Sequence, residues 1–237
     1  MSTKGRYIAN TATLIEPTSQ ETVARFAPVQ FYDDFLGKAI DTTNWWTALD
    51  TAGGTEALTA DAPSGAVALS LTNANEIQLA GLSWGDHRPL VLNQGLVAEF
   101  RARFTTLPAD AATAVIGLAG DTDAAINTIA ESMWFRWDGS GVVTVEHDDT
   151  ANTTSKVATG VTSVLNTWQV FRIDCTVITD VKFYINGNAV ATGTTFDMST
   201  VAALALQPMI RMDKAAAATN LGVMELDYVR IYQNRSA

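Results

Sequence analysis

The sequence predicts an all-β chain folded as a sandwich of two antiparallel sheets. Apolar and polar residues alternate over 171–177 and again over 181–185, which is the period of half-buried strands. An Asn186-Gly187 pair follows the second run and predicts a tight hairpin, because both central residues of a type I′ turn need positive φ. Helix signals are scarce, since only residues 124–131 suit a helical turn or two.

The other strands come at regular spacing from residue 31 onward, with turn residues between them. The clearest apolar stripe lies between 96 and 104, where Glu99, Arg101 and Arg103 occupy the opposite face. Further strand-like runs lie at 67–71, 77–79, 113–118, 133–137, 143–145 and 223–232. The last of these slips phase near Asp227, as a β-bulge or bend would produce. No repeat of 20 to 50 residues is present, which argues against a propeller or solenoid.

Residues 1–30 differ from the rest of the chain. They hold short apolar pieces at 14–15 and 23–24, and Pro17 and Pro28 interrupt any long helix. Three basic and two acidic residues give this segment a net charge of +1, whereas the whole chain carries −10. We therefore expect an extended N-terminal arm (1–30) and one sandwich domain (31–237). Such an arm is ordered only where it lies on something, and we expect a neighbouring subunit, with its own domain as the alternative.

Composition excludes several classes of function. The net charge of −10 argues against nucleic acid as a partner, since that affinity depends on clustered Lys and Arg. Cys175 is the one cysteine of the chain, so no internal disulfide forms, and its position on the apolar phase of a strand predicts a buried structural thiol. The chain has no apolar run of about 18 residues and no apolar signal-peptide core at its N-terminus. We expect no membrane partner and folding in a reducing cytoplasm.

Three segments carry a resemblance to a known fold. They are Phe-Tyr-Asp-Asp-Phe-Leu-Gly at 31–37 with Asp41 and Trp45 after it, the hairpin at 168–190, and Leu-Asp-Tyr-Val-Arg-Ile-Tyr at 226–232. Together they resemble the concanavalin A-like (laminin G-like) jelly roll over about 31–233. The first and last resemble glycoside hydrolase family 16 domains, where they pair as neighbouring strands. The resemblance implies a fold but no single function, since lectins, glucanases, adhesion modules and virion proteins share this sandwich.

The hydrolases of that family need a Glu-x-Asp-x-x-Glu or Glu-x-Asp-x-Glu run, which places a nucleophile and an acid about 5 to 5.5 Å apart on one face of a strand. This sequence has no such run. The nearest candidates are Glu131 to Asp138, which is too long and is interrupted by Arg136; Glu225-Leu-Asp227 in the terminal strand; and 146–149, which we interpret as a solvated turn. We predict that the chain is not an enzyme and has no catalytic residues.

Metal and cofactor sites are not predicted either. Legume-type lectins hold Ca²⁺ and a transition metal, and Asp121-Thr-Asp123 is the one fragment that suggests such ligands. A calcium site needs 6 to 8 oxygen ligands, so a polar loop tip is the better interpretation. His87 and His147 have no His or Cys neighbours at the spacing of a zinc site.

The six tryptophans are the candidates for a binding surface. We expect Trp137 and Trp168 in the core or at a sheet edge, while Trp134 is out of phase and faces the other surface with Arg136. An exposed Trp beside an Arg would form an interaction patch, and burial is the alternative. Trp46, Trp84 and Trp134 are the residues to test first.

Two functions fit these observations. The first is a non-enzymatic virion protein, a capsid decoration or cement protein of a tailed bacteriophage, attached through the arm. The phage proteins that contain this domain have a similar organisation. We would then expect the major capsid protein and neighbouring copies as partners, a homo-oligomer with a trimer as the working assumption, and a place on the capsid exterior. The second is a lectin-like module of a phage fibre or surface protein, with a surface glycan as its partner.

Overall fold

The computed structural model describes residues 4–8, 11–15, 22–25, 29–109, 111–201, 204–216 and 221–235, with side chains from residue 29 onward except that of residue 201. The secondary structure of these residues consists of strands and of three 3-10 turns at Leu92–Gln94, Ile126–Thr128 and Ser199–Val201. None of the described segments forms a helix long and apolar enough to span a membrane.

The described residues form nineteen strands, numbered in chain order. Their bounds are β1 Lys4–Ile8, β2 Thr11–Ile15, β3 Thr22–Arg25, β4 Val29–Asp33, β5 Thr47–Ala48, β6 Thr55–Leu58, β7 Val67–Leu71, β8 Gln78–Ser83, β9 Leu90–Val91, β10 Val97–Thr106, β11 Ala112–Ala119, β12 Glu131–Asp138, β13 Val142–Asp149, β14 Thr153–Thr162, β15 Gln169–Asp174, β16 Lys182–Ile185, β17 Asn188–Val190, β18 Ala205–Lys214 and β19 Gly222–Gln233.

Two eight-stranded antiparallel sheets contain β4 to β19. The first sheet has the order β17-β16-β15-β10-β19-β7-β6, with β4 paired to β19. The second has the order β14-β13-β12-β11-β18-β8-β5, with β9 paired to β18. The opening strand β4 and the closing strand β19 are neighbours, with Phe31 opposite Ile231. The strands from β4 onward therefore form a complete sandwich among themselves.

The core lies between the two sheets and follows the predicted alternation. Phe100 of β10, Phe171 of β15 and Phe135 of β12 are 0 to 1% exposed and belong to one apolar cluster with inward residues of both sheets. The rings of Phe135 and Phe171 meet across the layers with centroids 5.1 Å apart. Burying aromatic rings of this size from both layers is what holds the two sheets together.

Two local predictions are confirmed. Asn186 and Gly187 have φ of 51° and 77° and join β16 to β17, as a type I′ turn requires. The phase slip in the last strand is a bulge at Asp227, because Arg101 pairs with Tyr228 whereas Ala102 pairs with Leu226.

The segment predicted as an extended arm contains β1, β2 and β3, which pair as a three-stranded antiparallel sheet. The apolar pieces at 14–15 and 23–24 fall in β2 and β3. Pro17 and Pro28 lie outside the described residues. Strand β4 begins at Val29, so the sandwich starts two residues before the predicted boundary at residue 31.

Candidate functional site

An aromatic pocket of about 400 Å³ opens where β4 and β19 meet the two loops that carry Trp45 and Trp84. Phe31 is its central ring: its centroid lies 5.0 Å from that of Trp45 and 5.0 Å from that of Trp84. Trp45 is 51% exposed, whereas Trp84 is 7% exposed. The full lining is Val29, Gln30, Phe31, Asn44, Trp45, Trp84, His87, Pro89, Leu90, Ile231 and Gln233.

A turn capped by Asp41 sets the position of the Trp45-Trp46 pair. The carboxylate of Asp41 accepts hydrogen bonds from the backbone and side-chain amides of Asn44, and these bonds lower its pKa. Its backbone carbonyl accepts the amide N–H groups of Trp45 and Trp46 at 3.3 and 2.9 Å. Trp46 turns inward, where it is 1% exposed and donates its Nε1 proton to Asp33 at 2.6 Å. Trp45 is left on the surface as one wall of the pocket.

Gln207 of β18 holds the loop that carries Trp84 and His87. Its Oε1 accepts the backbone amides of Trp84 at 2.9 Å and Asp86 at 3.2 Å, and its Nε2 donates to the Asp86 carboxylate and to the Gly120 carbonyl. Burial alone would raise the pKa of Asp86, but its hydrogen bonds outweigh that effect and the pKa lies below its ordinary value. Gln207 is fully buried, so the loop is fixed to the second sheet.

The chemistry of the pocket is that of flat apolar rings bordered by neutral polar groups. Gln30 and Asn44 supply amides and His87 supplies an imidazole, whereas the buried Gln233 amide is bonded to the backbone of Val91 and Pro89. No Asp, Glu, Lys or Arg belongs to the described lining. Such a surface can stack against the apolar face of a ligand ring while amide groups bond its polar edge.

The three tryptophans selected from the sequence, Trp46, Trp84 and Trp134, do not lie at one site. Trp84 lies in the pocket wall, and Trp46 lies behind it with its ring 5.7 Å from that of Phe31. Trp134 is on the second sheet and is 2% exposed, so the burial alternative is correct and the exposed patch is not formed. Sequence reasoning missed Trp45 as the exposed member of the site. It also missed Gln207 as the residue that positions the loop of Trp84. The adjacent Trp45-Trp46 pair after Asp41 was the available signal.

The outer face of the second sheet is covered by the loop at 120–130. Ile126 and Ile129 of this loop pack on Trp134 and Met209 in a second apolar cluster. Arg211 fastens the loop by donating to the carbonyls of Asp123 and Ala124 at 2.6 and 2.8 Å. The 3-10 turn Ile126–Thr128 is the short helical element that the sequence suggested within 124–131.

Two carboxylates on that face, Glu146 and Asp138, are engaged in ion pairs. The outward positions of β12 are Ser132, Trp134 and Arg136, because Met133 and Phe135 belong to the core. Glu146 accepts hydrogen bonds from the Trp134 indole and from Arg136, the latter at 3.0 Å. Asp138 accepts from Arg136 at 2.9 Å and pairs with Lys156 at 3.1 Å.

The interpretation of 146–149 as a solvated turn is wrong. These residues continue β13 and pair with β12, with Glu131 opposite Asp149. His147 is 2% exposed and meets Phe196 edge-on at 5.6 Å, and burial lowers its pKa. Asp149 is fully buried, and its carboxylate accepts the amides of Ala151 and Asn152 at the following turn.

The remaining candidates have structural partners. Glu225 accepts from Arg103 at 2.6 Å, and Asp227 pairs with Arg101, both on the first sheet. Arg101 and Arg103 also stack on Trp168, at 5.0 and 4.4 Å from its centroid.

The loop-tip Asp121 pairs with Arg88 at 3.2 Å, and the described residues contain no group of three or more His, Cys, Asp or Glu placed to hold a metal. Cys175 is fully buried beside Met133, as predicted, and burial raises the pKa of its thiol.

No family model and no curated protein matches this sequence. Solved structures do match over most of the chain. A pseudo β-1,3-glucanase and immunostimulatory antigen of Mycobacterium tuberculosis is 15% identical, with 86% of this chain and 98% of that chain covered and a TM-score of 0.59. The laminarinase catalytic domain of Thermotoga maritima is 13% identical, with 87% and 98% covered and a TM-score of 0.57. The carbohydrate recognition domain of Emp47p is 9% identical, with 87% and 95% covered and a TM-score of 0.56.

These similarities establish the fold class predicted from the sequence. The chain is an all-β protein with the jelly-roll sandwich of concanavalin A-like domains, built from two antiparallel sheets.

Proposed function

We propose that this chain is a non-enzymatic module that binds carbohydrate in the aromatic pocket. The observation that carries the proposal is the half-exposed Trp45, which stands beside Phe31 and Trp84 over a cavity of about 400 Å³. A pyranose ring presents apolar C–H groups on its faces and hydroxyl groups around its edge. The rings of the pocket match those faces, and the amides of Gln30 and Asn44 match that edge.

The similar structures support a sugar as the ligand class. They include a carbohydrate recognition domain, a laminarinase and an endo-acting O-glycanase. At 9 to 13% identity they show that proteins of this fold can bind or cleave sugars, but they say nothing about the roles of particular residues in this chain.

We propose a non-enzymatic module because the described carboxylates are not arranged as those of a glycosidase. A retaining glycosidase needs two acids about 5 to 5.5 Å apart, one of them free to attack and one able to donate a proton. On the outer face of the second sheet, Glu146 and Asp138 are instead ion-paired with Arg136. An ion-paired carboxylate is a poor proton donor.

The test is binding of the purified chain to immobilised neutral glycans, followed by titration calorimetry with each hit. Trp45→Ala removes the exposed ring and is expected to weaken binding at least about tenfold, since stacked aromatic contacts contribute on the order of 1 kcal/mol or more beyond burial. Trp45→Phe keeps a ring and should retain part of the affinity. Ile77→Ala is the matched control, because Ile77 is 65% exposed outside the pocket. Equal binding by Trp45→Ala and the unmodified chain would exclude the pocket as the site.

A second candidate is a structural role in a virion, and the observation that favours it is the separate arm sheet. The strands β1 to β3 pair with one another, whereas β4 to β19 complete the sandwich. A folded arm outside a complete domain suits attachment to a capsid protein or to neighbouring copies, as in a homo-oligomeric decoration protein on the exterior of a phage capsid.

Removal of residues 1–28 tests this candidate. In the decoration role the shortened chain keeps the circular dichroism of a sandwich but no longer assembles onto purified capsids. Capsid binding equal to that of the full chain would eliminate attachment through the arm, and it would leave the sugar proposal untouched.

A further inference from the structure

The outer face of the first sheet is as buried at its centre as the core. Val97, Glu99, Val170, Arg172 and Tyr228 alternate with core residues along β10, β15 and β19, so their side chains point away from the second sheet. They are nevertheless only 1 to 4% exposed. In a two-layer sandwich, the outward face of a sheet faces solvent unless a third layer covers it.

Side chains of the face itself account for part of this burial. Arg172 lies over the ring of Tyr184 at 4.2 Å, and Arg230 lies over that of Tyr228 at 4.0 Å. Long side chains of this kind cover neighbouring apolar surface. Val97 and Val170, however, belong to neither of the two apolar clusters of the sandwich. On the second sheet, burial of the outward Trp134 requires a covering segment, the loop at 120–130.

The arm sheet is tethered next to this face. Strand β3 ends at Arg25 and β4 begins at Val29, so the connection spans at most about 14 Å. Gln30 of β4 lies opposite Tyr232, and Tyr232 lies opposite Val97 at the start of the buried row. The arm therefore enters at the edge of the covered surface.

The arm sheet also needs such a surface. Its strands are only four or five residues long. A small sheet of this size is stabilised by burying one of its faces against another element.

We propose that the outer face of the first sheet is the docking surface for the arm, and that β1 to β3 lie on it as a third layer over Val97 and Val170. The protein then has three layers on this side, and the arm is the segment that shields the outer face of the first sheet from solvent.

Labelling of an introduced cysteine tests the proposal in the full chain. Val170→Cys is a mild change, and the native Cys175 is fully buried. A bulky maleimide is expected to label Cys at position 170 at least about tenfold more slowly than Cys at position 142, because reaction requires the arm to open. Val142 is the matched control, since it is also a strand valine but is 48% exposed. Removal of residues 1–28 should abolish the difference.

The outcomes separate the explanations. Rapid labelling at position 170 in the full chain overturns the proposal, because the face is then open. Slow labelling that persists after removal of 1–28 also overturns it, because the sandwich then covers its own face. If labelling becomes fast on removal, the arm is the cover. Light-scattering mass then locates the arm: a monomer places it on its own sandwich, and a dimer that separates on removal of 1–28 places it on a second copy.

Discussion

Trp46 and Asp33 form a hydrogen bond of 2.6 Å between the indole Nε1 and Oδ2, thirteen residues apart in the chain. The other carboxylate oxygen of Asp33 accepts the amide of Phe35 at 2.8 Å. One side chain thus joins the end of β4 to the turn that presents Trp45. The stability of this corner and the shape of the aromatic pocket depend on the same carboxylate.

Asp33→Ala is therefore expected to destabilise the fold and to impair the pocket together. Loss of two hydrogen bonds to a charged acceptor should lower the free energy of unfolding by about 2 kcal/mol, measured by urea denaturation. Sugar binding, if it occurs at the pocket, should weaken as well because Trp45 loses its support. Asp34→Ala is the control: Asp34 accepts a 3.4 Å bond from the exposed Leu36 amide and contacts the exposed Tyr32, so its removal should change the midpoint little. Equal effects of the two variants would contradict this role of Asp33.

Gln207→Leu tests the support of the Trp84 loop. The substitution keeps the volume similar but leaves the Trp84 and Asp86 amides and the Gly120 carbonyl without this partner. Unsatisfied buried groups should cost about 3 kcal/mol of unfolding free energy in total. Gln94→Leu is the control, because Gln94 is only half-buried and its side chain bonds its neighbour Asn93. The measurement is the unfolding free energy of both variants from urea titrations. A Gln207→Leu chain as stable as the unmodified chain would show that the Trp84 loop does not depend on the Gln207 hydrogen bonds.

Local signals in the sequence were sufficient for several of the strands and turns, but they did not predict β14 or β18. The Asn186-Gly187 turn and the bulge at Asp227 depend on φ preferences and on alternation within a few residues, and both are where the sequence placed them. The inward-facing apolar residues around Phe100 were predictable for the same reason, because burial on one face of a strand repeats every second residue.

The pocket was not predictable in the same way, because its parts are distant in the chain. Phe31, Trp45 and Trp84 come from three segments, and Gln207 bonds Trp84 from 123 residues away. For 146–149 the polar composition suggested a turn. There the tertiary partner Arg136 stabilises a carboxylate inside the strand, which no local pattern reveals.

Glu56 predicts a pH dependence of stability. Its carboxyl lies between the sheets and accepts the Gly81 amide at 2.5 Å; burial, with Asp50 adding to it, raises its pKa from 4.5 to about 7. Because the folded state favours the protonated form, the contribution of Glu56 to stability is complete below about pH 4.5 and is lost as the pH rises through about 7.

Glu56→Gln should remove that dependence, since the amide oxygen can still accept the Gly81 proton and no charge forms. The melting temperature of the variant should exceed that of the unmodified chain at pH 8, and the two should approach each other at pH 5. Glu76→Gln is the control, with an exposed carboxylate that should give parallel curves. A constant offset between Glu56→Gln and the unmodified chain at both pH values would show that Glu56 does not titrate in this range.

Gly117 predicts a large effect of a single added methyl group in the second sheet. It lies in β11 directly opposite Trp134, and a Cβ built on it would stand 2.2 Å from the Met133 carbonyl oxygen and 2.6 Å from the Trp134 Cα. These are backbone atoms in the middle of the second sheet, so neither can move without breaking the pairing of β11 with β12. Gly117→Ala should therefore lower the unfolding free energy by about 3 kcal/mol. Gly193→Ala is the matched control, because nothing lies within 4 Å of a Cβ at that position. The comparison requires only thermal melts of the two variants, and a Gly117→Ala chain as stable as Gly193→Ala would mean that the strands can separate locally at Trp134.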